Sequence, residues 1–227
     1  MKNRRSSYPR YLLLGLAAAS IIGWGCATPV YLPAAKDKTV DSVFLPAAEK
    51  GDAISQLQLA LAYRFGTAGA PKDPQSAWKW LNKSADNGLL EAQLMRADAL
   101  IDGSWDQARQ VESGFDALRT IAAQGNRDVQ AHLASRLMEG KAFAVDPVEA
   151  AKWFERSARA GNRYAAMRLA RMYELGQGTS SDAQNAYAWF SIAAANADVK
   201  RLEANLGKAD LQRAKNRLAT LRTEVKR

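Results

Sequence analysis

The 227-residue chain offers one histidine, one cysteine and 23 acidic residues from which chemistry could be built. A histidine-based triad needs a nucleophile and an orienting acid beside the imidazole, and a cysteine nucleophile needs a base to make its thiolate. A multi-histidine metal site needs more than one imidazole. His132 stands alone in an alanine-rich segment, and Cys26 lies in an apolar leader far from it. The carboxylates form solvated faces and helix caps, with no pair set apart from the others. Gly176-Gln177-Gly178, like its counterpart Gly66 with Gly69, reads as a helix end and not as a phosphate-binding loop. The sequence therefore predicts no catalytic centre, no cofactor and no metal, and points to a binding protein.

The elements that would carry such binding repeat along the chain. Gly51, Gly88, Gly125 and Gly161 are spaced 37, 37 and 36 residues apart, and Gly66, Gly103, Gly140 and Gly176 follow each of them by 15. Two glycine registers locked through four periods describe a helical repeat array. Counting from the first glycine of each unit, Ala48, Ala85, Ala122, Ala158 and, in a partial fifth unit, Ala194 stand at −3. Ala60, Ala97, Ala134 and Ala170 stand at +9, and Trp80, Trp153 and Trp189 recur at −8. Positions +4, +5, +8, +9 and +12 share one helical face, so small residues there let helices approach closely. The second glycine ends helix A of each unit. Asp73-Pro74 and Asp146-Pro147 then read as N-cap and first residue of helix B, and Asp182 does the same without proline. The second unit, with Gly103-Ser104-Trp105 leading into a helix that contains Gly114, is expected to be the least regular.

These residues resemble the Sel-1-like repeat (SLR) family, a relative of the tetratricopeptide repeats. The pattern is Ala-x-x-Gly, then Ala, Leu, Tyr and Gly, a loop ending in Asp, and Ala-x-x-Trp-Phe-x-x-Ala-Ala. The fourth unit carries it most fully, with Ala158, Gly161, Ala165, Leu169, Tyr173, Gly176, Gly178, Asp182, Ala186, Trp189, Phe190, Ala193 and Ala194. The third follows with Gly125, Leu133, Ala134, Leu137, Gly140, Asp146, Ala150, Trp153 and Phe154. The resemblance covers residues 41–198. It implies an all-α fold, a right-handed α-solenoid of about four antiparallel helix pairs, and a scaffold or adaptor function, in bacteria often at the envelope or in exopolysaccharide export. One branch of the family carries a disulfide in each repeat; this chain lacks those cysteines.

Helices A are expected to line the concave side of such an array, with +7 and +10 falling off the core face. That stripe comprises Gln58 and Leu61, Met95 and Asp98, His132 and Ser135, and Arg168 and Arg171. It changes from neutral to positive along the chain. Arg168 and Arg171, one turn apart, are the strongest candidates for gripping an acidic segment, because guanidinium forks suit carboxylates.

Both ends of the chain carry the positive charge. The formal net charge is +9, yet residues 26–199 hold 19 basic and 20 acidic residues. A nucleic-acid binder would place its charge on the folded face, so nucleic acid is not expected as a partner. Residues 1–25 read as a signal peptide: Lys2, Arg4, Arg5 and Arg10, then an apolar run of 12 residues from Tyr11 to Ile22. That run falls short of the ~20 residues a spanning helix needs. Gly25-Cys26 resembles a bacterial lipoprotein box, which implies acylation of Cys26, a membrane anchor and the periplasmic side of the outer membrane. A competing cut after Ala27 would release a soluble periplasmic protein. Residues 26–40 read as a tether. Residues 199–227 form a basic C-terminal cap with Leu202, Leu206, Leu211, Ala214, Leu218 and Leu221 on its apolar side. Its outer face is either simply solvated or touches anionic lipid or an acidic partner. Two functions remain in view: an envelope adaptor that binds a protein segment in the groove, or a binder of acidic exopolysaccharide or cell-wall glycan.

Overall fold

The computed structural model describes residues 39–140 and 145–225. The expected signal peptide, the lipidation candidate Cys26 and nearly all of the tether lie outside the described residues. Within them every regular element is a helix. The chain divides into two compact units between Arg109 and Gln110.

The first unit holds α1 (Val40–Glu49), α2 (Ala53–Phe65), α3 (Pro74–Asp86) and α4 (Leu90–Asp102), each packed on the next. The second holds α5 (Val111–Ala123), α6 (Arg127–Glu139), α7 (Pro147–Arg159), α8 (Arg163–Leu175), α9 (Ala183–Ile192), α10 (Asn196–Asn205) and α11 (Lys208–Glu224). There α5 to α9 pack in succession, and α9 carries both α10 and α11.

The start and stop signals act as the sequence predicts. Asp73 accepts from the backbone N–H groups of Gln75 and Ser76, Asp146 from Glu149, and Asp182 from Gln184 and Asn185. Such caps satisfy N–H groups that have no partner inside the helix. Gly66, Gly103, Gly140 and Gly176 end their helices at φ of 62–69°, in the left-handed region. Helices A have their own caps at +1, where Asp52, Asn126 and Asn162 accept from the first turn. The second unit of the repeat lacks both: neither Leu89 nor Gln110 makes a side-chain cap bond. Its connecting loop puts Trp105 and Asp106 at positive φ, so it is the irregular unit.

The +9 alanines, Ala60, Ala97, Ala134 and Ala170, are fully buried, and Ala48, Ala85, Ala122 and Ala158 nearly so. Small buried side chains at these sites allow one helix to approach the next closely. Trp80, Trp153 and Trp189 fill the space beside them. Polar stitches recur with the same period. The Gln56, Gln93 and Gln130 amides, all at +5, donate to the carbonyls of Ala48, Ala85 and Ala122 at the end of the preceding helix. Ser84 and Ser157 donate to the carbonyls of Ala53 and Arg127 at 2.6 Å.

Ala194 departs from its expected place. It is exposed, lies beyond α9 and has φ of 56°. Its N–H donates to the Ser191 carbonyl and that of Ala195 to Phe190, as Gly161 and Asn162 donate to Ala158 and Ser157. Ala194 thus takes the glycine's position and not that of a core alanine, because α9 has 10 residues where α7 has 13.

Candidate functional site

The eight-residue stripe predicted at +7 and +10 splits between buried and accessible positions. Gln58 in α2, Asp98 in α4 and His132 in α6 are only 7%, 8% and 8% exposed, and Leu61 is buried too. Neither Asp98 nor His132 is free of partners. Met95 is partly buried against the core of the first unit. The expectation that +7 and +10 fall off the core face is therefore corrected for Gln58, Leu61, Asp98 and His132. Leu61 and Asp98, at +10, are buried although that position lies opposite the core face. For the +7 residues Gln58 and His132 the reason is angular: +7 stands about 60° around the helix from +4, close enough to the core face to be overlapped by neighbours. Small +4 residues, Ser55, Ala92, Val129 and Ala165, permit the close approach that covers it.

Ser135, Arg168 and Arg171 remain, all in the second unit. Asn162 ties the start of α8 to α6 through Asp128 at 2.9 Å, and Arg127 of α6 donates to the Ala160 carbonyl just before α8. On the surface so held, the Ser135 hydroxyl lies 3.3 Å from the Tyr164 hydroxyl, and the Arg168 guanidinium donates to the same Tyr164 oxygen at 3.5 Å. Arg168 rests over the rings of Phe154 and Tyr164, at 5.7 and 5.9 Å, and those rings meet edge to face at 6.3 Å. Aromatic seating fixes the guanidinium while leaving its charge available. Tyr164 is 45% and Met167 41% exposed, so an apolar body flanks the cation.

Arg171 differs from the expected free grip. It stacks on Phe190 at 5.3 Å and pairs with Glu174 at 2.6 Å and with Asp198 at 3.2 Å. Arg201 of α10 bridges the same two carboxylates at 2.5 and 3.1 Å. Two cations and two anions close a neutral ring there. Among the described residues no carboxylate pairs with Arg168, so the available positive charge is centred on it.

Tyr164 and Met167 were not among the sequence candidates. The signal that could have found them is their place at +3 and +6 of helix A, the sector opposite the core stripe. There α8 has an aromatic and a methionine, where other units put Ile54, Glu91 or Asp128 at +3.

Three stretches, residues 53–89, 128–162 and 163–198, match the Sel1 repeat. The irregular second unit falls between the first two. An F-box protein of Arabidopsis thaliana is 40% identical over 68 residues, covering 30% of this chain and 18% of that protein. Among solved structures, a protective antigen of uropathogenic Escherichia coli displaying an SLR fold is similar with TM-score 0.60 and 26% identity, over 80% of this chain and 40% of that one. A Sel1 repeat protein from Oxalobacter formigenes gives TM-score 0.56 and 27% identity, over 67% and 62%. The chain thus spans less than two thirds of each of these relatives. The all-α fold is that of SLR proteins, a fold that is typically a non-catalytic scaffold for protein–protein interaction. By its glycine register, its helix pairs and its three matched stretches, the chain carries Sel1 repeats and is similar in fold to SLR proteins.

Proposed function

We propose that this protein is a non-catalytic adaptor of the bacterial cell envelope that holds a segment of a partner protein on the face of α6 and α8, and so helps to assemble or regulate a membrane complex. The observation that carries the reading is the Arg168 guanidinium, seated on Phe154 and Tyr164 beside exposed Met167. A partially desolvated cation flanked by apolar surface suits a carboxylate followed by a hydrophobic side chain. Tyr164 and Ser135 hydroxyls add hydrogen-bonding groups at the same place. The envelope setting rests on the leader, with its basic start, apolar run and Cys26. The anchor at Cys26 would keep the adaptor on the periplasmic side of the outer membrane, and cleavage after Ala27 would leave it soluble in the periplasm.

A photo-crosslinking residue in place of Met167, introduced into the full chain in its host, tests this. The expected result is one discrete envelope protein, attached through Met167 and lost in Arg168→Glu and in Tyr164→Ala. Crosslinks that are unchanged by both substitutions would refute the site. A second reading, binding of acidic exopolysaccharide or cell-wall glycan, is favoured by the exposed Tyr164 ring beside the cation. Salt-sensitive binding of purified protein to polygalacturonate, lost in Arg168→Glu, with no protein crosslinked at Met167, would replace the first reading by the second.

A further inference from the structure

Helix α11 separates its charges by flank. Its two acids and two of its five cations serve the fold. Arg213 pairs with Asp210 at 2.5 Å, and Asp210 also accepts from Gln184 of α9. Arg217 donates to Asn185 at 2.9 Å, and Glu224 pairs with Arg159 of α7. Ala214, Leu218 and Leu221 are buried on this docked side.

The other three cations are Lys208, Lys215 and Arg222, at successive intervals of seven. Seven residues are nearly two full turns, so they lie in one line, about 10 Å apart and about 21 Å from end to end. All three are exposed, and among the described residues no carboxylate pairs with any of them. Gln212, Asn216, Ala219, Thr220 and Thr223 continue the exposed surface without an acid.

We propose that this line of cations is a docking face for an anionic phospholipid surface, independent of the site on α8. The chemistry selects among polyanions. Residues 200–225 contain no aromatic ring on which a sugar could stack, and no large apolar side chain of the exposed flank could anchor a protein partner. The helix's apolar side is already occupied by the fold, so α11 cannot insert into a bilayer as an amphipathic helix does. What is left is a straight, shallow, purely positive strip, which fits a flat field of anionic headgroups and no pocketed ligand. The contact is electrostatic, so it weakens as salt shortens the screening length.

The test reads the contact residue by residue, since the basic leader could itself hold the chain on vesicles. Full-length protein is labelled with a water-soluble amine-acylating reagent, alone, with phosphatidylcholine vesicles, and with vesicles that also contain phosphatidylglycerol. Mass spectrometry follows Lys208 and Lys215 against exposed Lys79 and Lys152. Protection of Lys208 and Lys215 by several-fold, only on the anionic vesicles and reversed by high salt, is the expected result. The triple variant Lys208→Gln/Lys215→Gln/Arg222→Gln, checked for folding by circular dichroism, should bind these vesicles at least about tenfold more weakly than Lys50→Gln/Lys72→Gln/Lys79→Gln, which removes the same charge elsewhere. Equal labelling on both vesicle types overturns the proposal. Protection by polygalacturonate at matched charge without protection by vesicles overturns it in favour of an acidic polymer.

Discussion

Gly178→Ala is the sharpest test of the packing, because the same substitution elsewhere supplies its control. Gly178 lies in the loop after α8 with φ of +67°, and a Cβ there would stand 2.0 Å from the Pro147 carbonyl oxygen, 2.3 Å from its carbon and 2.8 Å from the Val148 nitrogen. All three are backbone atoms of the first turn of α7, which cannot swing aside like a side chain. A left-handed residue with a Cβ costs about 1 kcal/mol. Relieving the overlap moves the loop or the helix start by about 1 Å, at the roughly 1–3 kcal/mol typical of overpacking. The total is about 2–4 kcal/mol. Gly125, in the same unit, has φ of +92° and nothing within 4 Å of its Cβ position. Gly125→Ala therefore carries only the backbone cost, about 1 kcal/mol. Urea unfolding followed by circular dichroism gives both numbers, and hydrogen exchange in the first turn of α7 localises the first. Equal destabilisation by the two substitutions would show that the 176–181 loop does not lie against α7.

Ala134→Leu adds a branched isopropyl group to a fully buried contact and should cost roughly 1–3 kcal/mol, whereas an unchanged melting temperature would mean that the core face is misplaced. Burial, and then the hydrogen bond given to Asp41, push the Tyr63 hydroxyl from 10.0 up to about 12. Between those values the folded chain keeps a proton that the unfolded chain has lost, so stability is intact below pH 10 and falls as pH rises toward 12. Tyr63→Phe should flatten that alkaline loss, as measured by denaturation at a series of pH values. Ala194→Gly should raise stability by a few tenths of a kcal/mol, since relief of the left-handed strain outweighs the added chain entropy; a lower melting temperature would contradict the assigned backbone.

The repeat frame was legible because packing imposes it. The +9 alanines, the helix-ending glycines and the Asp-Pro caps each answer a local need, and local needs recur with the period. The +1 caps Asp52, Asn126 and Asn162 and the +5 glutamines were equally periodic, but a polar residue at a buried position reads as surface until its partner carbonyl is known. The binding stripe was harder. Gln58, Asp98 and His132 look solvated by type, and only the approach of neighbouring helices buries them. Arg171 has Glu174 one turn on, but the other two members of the closed ring, Asp198 and Arg201, come from another helix and could not be read beside it in the sequence. Ala194 matched the repeat by identity, and the shortening of α9 that moved it to the glycine's position is visible only in the backbone.

The +5 glutamines bear on how such a chain can grow or shrink. Gln56, Gln93 and Gln130 each complete the end of the helix before them, so these three junctions are closed by the segment that follows. The fourth has Ala166 at +5, and its Ala158 carbonyl takes the Gly161 N–H. Donor and acceptor are always eight residues apart, on either side of a glycine. An in-frame duplication of one whole period from the first three units therefore carries its own closing amide with it. A gain or loss of residues between donor and acceptor parts the amide from its carbonyl, which then keeps only the glycine N–H. Growth by whole periods is accordingly a change of length that these stitches tolerate.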